Sequence, residues 1–68
     1  MVDARGLNCP MPVLMVQREV NASHPETLEV LVDHMTAVYN IQRYAASQGY
    51  SFQSEETDDG DYRLTLKK

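Results

Sequence analysis

Two prolines that bracket a single residue, Pro10-Met11-Pro12, fix where a helix has to begin in this chain. Proline is tolerated in the first turn of a helix, where the backbone N–H groups have no intrahelical partner and its fixed φ is already helical. The residues that follow, Val13-Leu14-Met15-Val16, form an apolar run with no breaker, and the pattern predicts a first helix from about Pro10 to Asn21. At about 100° per residue, Val13, Val16 and Val20 share one stripe that should face a core, while Met11, Leu14, Met15 and Arg18 fall on the other side. Cys9, the only cysteine, then lies at the N-cap or beside it. A helix start is where the macrodipole is most positive and amides point outward, which favours the thiolate, the nucleophilic form. The prolines donate nothing, so Met11 and Val13 are the nearest expected donors. The same residues also admit a plain reading, because cysteine is often a small buried hydrophobe and N-caps more commonly hold Ser, Thr, Asp or Asn.

Periodicity organises the rest. Val2 to Ala4 predicts a short strand, and Arg5-Gly6-Leu7-Asn8 a loop in which Gly6 is available for a positive φ. Thr27 to Asp33 alternates as a strand with Leu28, Val30 and Val32 facing inward. A second helix is expected from an N-cap at Thr36, with Ala37, Ile41, Tyr44, Ala45 and Gln48 on one side and Gly49 just past its end. Tyr50 to Gln53 and Tyr62 to Leu66 both have period two, and Asp58-Asp59-Gly60 between them signals a hairpin. The order β-α-β-α-β-β implies a parallel first pair and an antiparallel last pair. The expected fold is a two-layer α/β sandwich, a mixed four-stranded sheet with two helices on one face. Its core is assigned to Val13, Val16, Val20, Val30, Val32, Ile41, Tyr44, Phe52 and Leu64. Asp3, Glu29, Ser51, Gln53, Arg63 and Thr65 are assigned to the solvated face of the sheet.

Sixty-eight residues suit one domain, near the lower size at which a single core suffices. One cysteine excludes an intrachain disulfide and a Cys-x-x-Cys redox pair. No apolar run approaches the length of about 18 residues that a membrane span needs, and no signal peptide is recognisable, so a cytoplasmic protein is the expectation. The net charge of −4 and the scattered basic residues disfavour nucleic acid as a partner. Cys9, His24 and His34 do not match a zinc-ligand spacing, and neither a metal nor a cofactor is expected. The two histidines read as loop residues, although His34 would come close to the helix starts if its strand runs parallel to the first. The acidic run from Glu55 to Asp59 reads as a solvated hairpin tip.

The segment Val2 to Val13 resembles the opening of the TusA/SirA family of small sulfur-carrier proteins. The matching residues are Asp3, Gly6-Leu7 and the Cys-Pro-x-Pro set Cys9-Pro10-Met11-Pro12. Val32-Asp33, Ala37, Asn40-Ile41 and Ser47-Gln48-Gly49-Tyr50 are similar to the YedF-type branch, often associated with selenium metabolism. The resemblance covers essentially the whole chain and implies the same two-layer fold. Members commonly carry a pair of basic residues in the first helix; here the positions hold Gln17 and Arg18. YedF-type proteins commonly carry a second domain after this one, so the chain may be read either as a complete single domain or as an N-terminal part.

For function, the resemblance implies a sulfur carrier with Cys9 as the persulfide site, a sulfurtransferase-like relay rather than an independent enzyme. Pro10, Met11 and Pro12 would set the site's geometry, with Asp3, Gly6, Arg18 and Met15 as supporting or docking residues. The implied partners are a sulfur donor, a cysteine desulfurase or rhodanese-like protein, and a sulfur acceptor. Selenium is the variant cargo. The alternative is a regulatory or interaction domain in which Cys9 is structural or redox-sensing and Met11, Leu14 and Met15 bind a partner. Exposure of Cys9 separates the two readings.

Overall fold

The computed structural model describes residues 2–8 and 10–68; Met1 and Cys9 lie outside the described residues. Six elements follow in the expected order: β1 (Val2–Asp3), α1 (Met11–Ser23), β2 (Thr27–Val32), α2 (Met35–Ser47), β3 (Ser51–Glu56) and β4 (Tyr62–Lys67). They form one sheet of order β1-β2-β4-β3. β1 is parallel to β2, with Val2 opposite Val30, and β4 is antiparallel to both β2 and β3. The last strand therefore sits inside the sheet and β3 forms an edge. β1 is one residue shorter than expected, yet the Ala4 amide still donates to the Leu31 carbonyl at 2.8 Å.

Alternation places Leu28, Val30 and Val32 of β2 and Leu64 and Leu66 of β4 on the inner face, all buried. They pack with Val16 and Val20 of α1 and with Ala37, Val38, Ile41 and Ala45 of α2. The stripe deduced for α1 is thus partly right: Val16 and Val20 are core, whereas Val13 is half-buried. Tyr44 and Phe52, also assigned to the core, pack against its margin and are likewise half-buried. Val13 and Tyr44 border the cleft between the helices, and Phe52 lies on the edge strand, so each keeps one side in water. Ala4, Leu66 and Tyr50 are buried in their place. The opposite sheet face is polar, with Asp3, Ser51, Gln53 and Arg63 exposed and Glu29 and Thr65 half-buried.

Helix ends deviate from propensity. α1 runs on to Ser23 rather than stopping at Asn21, and His24 closes it in the left-handed conformation at φ 45°. Its amide donates to the Val20 carbonyl at 2.8 Å, the αL closure usually left to glycine. α2 begins at Met35 with His34 as N-cap, not at Thr36, and no side chain caps it. Its other end is a Schellman motif: Gly49, at φ 81°, donates to Ala46 at 3.2 Å, and the Tyr50 amide to Ala45 at 2.9 Å. Tyr50 turns into the core there, and its hydroxyl donates to the Pro25 carbonyl at 2.6 Å. The final hairpin closes as expected over Asp58-Asp59-Gly60, with the Gly60 amide on the Thr57 carbonyl and the Thr57 amide on Asp61.

Candidate functional site

β1 and β2 are parallel, so the loops that leave them for α1 and α2 emerge at one end of the sheet. The β3–β4 hairpin turns at the same end, because Val32 pairs with Tyr62. Three segments therefore meet there: residues 4–8 with Pro10, residues 33–34 and residues 57–61. The first of these is held by carboxylates of β1, of the turn after β2 and of the hairpin.

Arg5 is the centre of the first set of contacts. Its Nε and Nη2 donate to the two carboxylate oxygens of Asp3, both at 2.9 Å, and Nη1 reaches Asp61 Oδ2 of the hairpin at 3.2 Å. The Arg5 amide also donates to Asp3 Oδ1 at 3.2 Å. The Arg5 hydrogen bonds hold the Asp3 carboxyl below its ordinary range, and the two carboxylates in turn raise the pKa of the guanidinium. This paired geometry is the strong form of a carboxylate contact. Arg5 is thus committed to Asp3 and Asp61, and the negative charge of Asp3 is largely matched.

The second contact comes from β2. Immediately after the strand, Asp33 Oδ2 accepts the Gly6 N–H at 2.8 Å. Gly6 has φ 76°, and a Cβ there would meet nothing within 4 Å. The glycine is required by its backbone conformation and not by space. Asp33 Oδ1 lies 3.6 Å from Nε2 of its sequence neighbour His34, whose side chain is otherwise exposed.

The helix start itself follows the prolines. Pro10 is the N-cap, Met11 the first helical residue, and Pro12, at the second, is buried. Cys9, expected at or near the cap, lies outside the described residues; its neighbours are joined across it, because the Met11 amide donates to the Asn8 carbonyl at 2.8 Å. That bond corrects the expectation that Met11 offers a free donor. Leu14 donates to the Pro10 carbonyl at 3.1 Å and begins the helical ladder.

The remaining candidates separate by face. Met11 and Leu14 are exposed, at 40% and 37%, and so is Met35 at the start of α2. Met15 is half-buried against the core and lines a shallow cleft with Val2, Asp3 and Arg18. Arg18 is exposed. The face of α1 that meets α2 is the other one: Val13 and Gln17 line a groove with Asn40, Arg43, Tyr44 and Ser47, with Pro10 at its end. Burial raises the pKa of the Tyr44 hydroxyl, with Tyr50 adding to the shift. His24 is exposed at the far end of α1. Asp61 carries no local motif and Asp33 entered only with the resemblance; the contacts across the fold reveal what each holds.

The family model described as Sulfurtransferase TusA matches residues 1–68. A candidate sulfur carrier protein of Methanocaldococcus jannaschii is 34% identical, the match covering 98% of this chain and 91% of that protein. Among solved structures, a SirA-like protein from Desulfitobacterium hafniense superimposes with a TM-score of 0.86 at 30% identity, over 96% of this chain and 90% of the other. No helix among the described residues is long and apolar enough to cross a membrane.

Proposed function

The chain belongs to the TusA family, and from that premise we propose that it is a persulfide relay with Cys9 as the carrier thiol. In the loading step the Cys9 thiolate attacks the outer sulfur of a donor protein's persulfide. A new S–S bond forms on Cys9, the donor's S–S bond breaks, and the donor cysteine leaves as thiolate. In the unloading step an acceptor thiolate attacks the terminal sulfur on Cys9, and Cys9 leaves as thiolate. Sulfur and charge balance in both steps, and no oxidant, second cysteine, metal or cofactor is needed. The protein is therefore a carrier between enzymes in this reading, with a cysteine desulfurase or rhodanese-like donor.

The observation that carries the proposal is the construction of the segment around Cys9. A Pro-x-Pro start makes α1 rigid on one side, and carboxylates of two other elements fasten the loop on the other. A thiol that must meet two different proteins in turn benefits from such a fixed presentation, because less freedom is lost at each encounter. Exposed Met11, Leu14 and Met35 belong to the helix starts on either side, where both partners would dock. Methionine is suited to packing against more than one surface.

The test is intact mass after incubation with a cysteine desulfurase and cysteine. Wild type should gain one sulfur atom and lose it on addition of a reductant, and Cys9→Ser should gain none. Equal gain by both proteins, or none by wild type with any persulfide-forming donor, refutes the relay. Gain of selenium from a selenocysteine-derived donor, without gain of sulfur, would assign the variant cargo instead.

A further inference from the structure

We propose that Asp33 is a positioning residue for the Cys9 thiol, acting through the Gly6 amide. Asp33 follows the last residue of β2, and its carboxylate reaches across to the loop that leads from β1 into α1. The contact joins residues 27 positions apart, so it ties two elements together and is not a local turn. The bond lies toward the surface, with Gly6 exposed and 29% of the Asp33 side chain exposed, so its weight comes from joining two elements and not from burial.

The loop is fastened at successive points. The Arg5 amide is taken by Asp3 and the Gly6 amide by Asp33. Leu7 packs against the core, and the Asn8 carbonyl accepts the Met11 amide. These contacts fix the chain as far as Asn8, the residue before Cys9 in the sequence. After the Ala4 amide on the Leu31 carbonyl, the Asp33 bond is the next tie between this loop's backbone and the chain of β2, here to the residue just past the strand. The positive φ of Gly6 shows that the backbone bends there to a conformation disfavoured for other residues. A carboxylate acceptor is what holds that bend in place.

Charge is the competing account of Asp33. The charged groups gathered at this end are Asp3 of β1, Arg5 of the loop and Asp58, Asp59 and Asp61 of the hairpin, with the His34 imidazole beside Asp33 itself. A carboxylate beside a thiol opposes the thiolate, so a purely electrostatic Asp33 would raise the thiol pKa. A positioning Asp33 does the opposite, because its loss frees the loop that leads into the helix whose start favours the thiolate. The two accounts therefore differ in sign. The consequence for sulfur transfer rests on the relay reading above; the consequence for thiol reactivity does not.

The experiment is the pH profile of iodoacetamide alkylation of Cys9 in wild type, Asp33→Asn and Asp33→Ala, with persulfide loading measured beside it. Asp33→Asn keeps an oxygen acceptor for Gly6 and should stay close to wild type in both readouts. Asp33→Ala should move the alkylation midpoint to higher pH and slow loading by about three- to tenfold, the scale of one lost charge-assisted hydrogen bond at a partly exposed site. A midpoint that falls in both variants overturns the proposal in favour of charge. A loss of thermal stability in Asp33→Ala with an unmoved profile overturns it in favour of a merely structural role. Should Asp33→Ala fail to fold, hydrogen exchange in wild type decides: the Gly6 amide should exchange slowly for a loop amide, and fast exchange refutes the bond. A protein with the expected alkylation profiles but no persulfide would leave Asp33 as positioned here and sink the relay alone.

Discussion

Val16→Ala is the substitution on which the packing account is most exposed. Val16 is 0% exposed on the inner side of α1 and belongs to the cluster formed with Val30, Ile41 and Leu64. The change removes two carbons from that cluster, worth about 1.5 kcal/mol at roughly 0.8 kcal/mol per buried methylene. A residual cavity adds to the transfer loss, and the total should be about 2 kcal/mol, with 1–3 as the approximate range. A domain of this length has about 3–10 kcal/mol in all, so the variant should lose a large share of its stability. Urea denaturation followed by far-ultraviolet circular dichroism should show a lower midpoint at unchanged slope. The thermal midpoint should fall by roughly 8–16 °C, at about 4–8 °C per kcal/mol for a small domain. Val13→Ala is the internal comparison. Val13 is half-buried beside the groove between the helices, and its loss should be smaller. A neutral Val16→Ala, or a Val13→Ala that costs as much, would refute the assigned helix phase.

Gly6→Ala should destabilise the fold by about 1–2 kcal/mol from its left-handed φ alone, since a Cβ meets no neighbour; a neutral result in denaturation would mean that the bend is not held. Asp3 has a carboxyl pKa lowered by Arg5, so its contribution is present above the ordinary carboxylate pKa of about 4 and lost as pH falls below it. Acid denaturation of Asp3→Asn should accordingly show a shallower slope below about pH 4 than wild type, and identical slopes would contradict the pairing. Pro12→Ala should retain the fold at a cost of about 1 kcal/mol, because it frees the unfolded chain, and should change the rate of Cys9 alkylation across a pH series; unchanged rates would remove the proline from the site's geometry. The Cys9 alkylation midpoint should lie below the free value of about 8.5, by less than one unit given a dipole effect of about 0.3–1 kcal/mol. A midpoint above the free value, or a thiol fully protected in the folded protein, would favour the structural cysteine.

Local pattern carried the elements well, since alternation in Leu28, Val30 and Val32 and the stripe of Val16 and Val20 survive unchanged in the core. Residues were missed where two rules had to be joined. Tyr50 was assigned to a strand, but it follows Gly49, and a Schellman ending brings the second residue past the helix back onto its last turn. Leu66 needed only the alternation of β4 carried two residues past Leu64. The start of α2 was placed at Thr36 because hydroxyl side chains cap helices, yet neither helix here uses a side-chain cap. The strand's end, and not a capping propensity, decides where that helix begins. Within the site, the proline start was legible from four residues. The contacts of Asp33 with Gly6 and of Asp61 with Arg5 span 27 and 56 residues, and no local spacing encodes them. They become visible only once the parallel pair and the hairpin are seen to meet at one end.

The way the first turn of α1 is built bears on which kind of thiol chemistry it favours. A helix start rich in free amides lowers a thiol pKa strongly, but here the amides are scarce. Pro10 and Pro12 have none, and of the two expected donors, Met11 and Val13, the Met11 amide is spent on Asn8. Arg5, the nearest cation in sequence, is engaged by Asp3 and Asp61. The expectation for Cys9 is therefore a modest push toward the thiolate. In the relay reading the same sulfur acts first as attacking group and then as leaving group, and these demands oppose each other. Nucleophilicity falls as thiol pKa falls, whereas a leaving thiol departs faster when its pKa is low. A strongly acidic thiol would load slowly, and an unperturbed one would be little ionised near neutrality. A pKa close to ambient pH serves both steps, and the few amides of the first turn with a charge-paired Arg5 are the means by which this fold would hold it there.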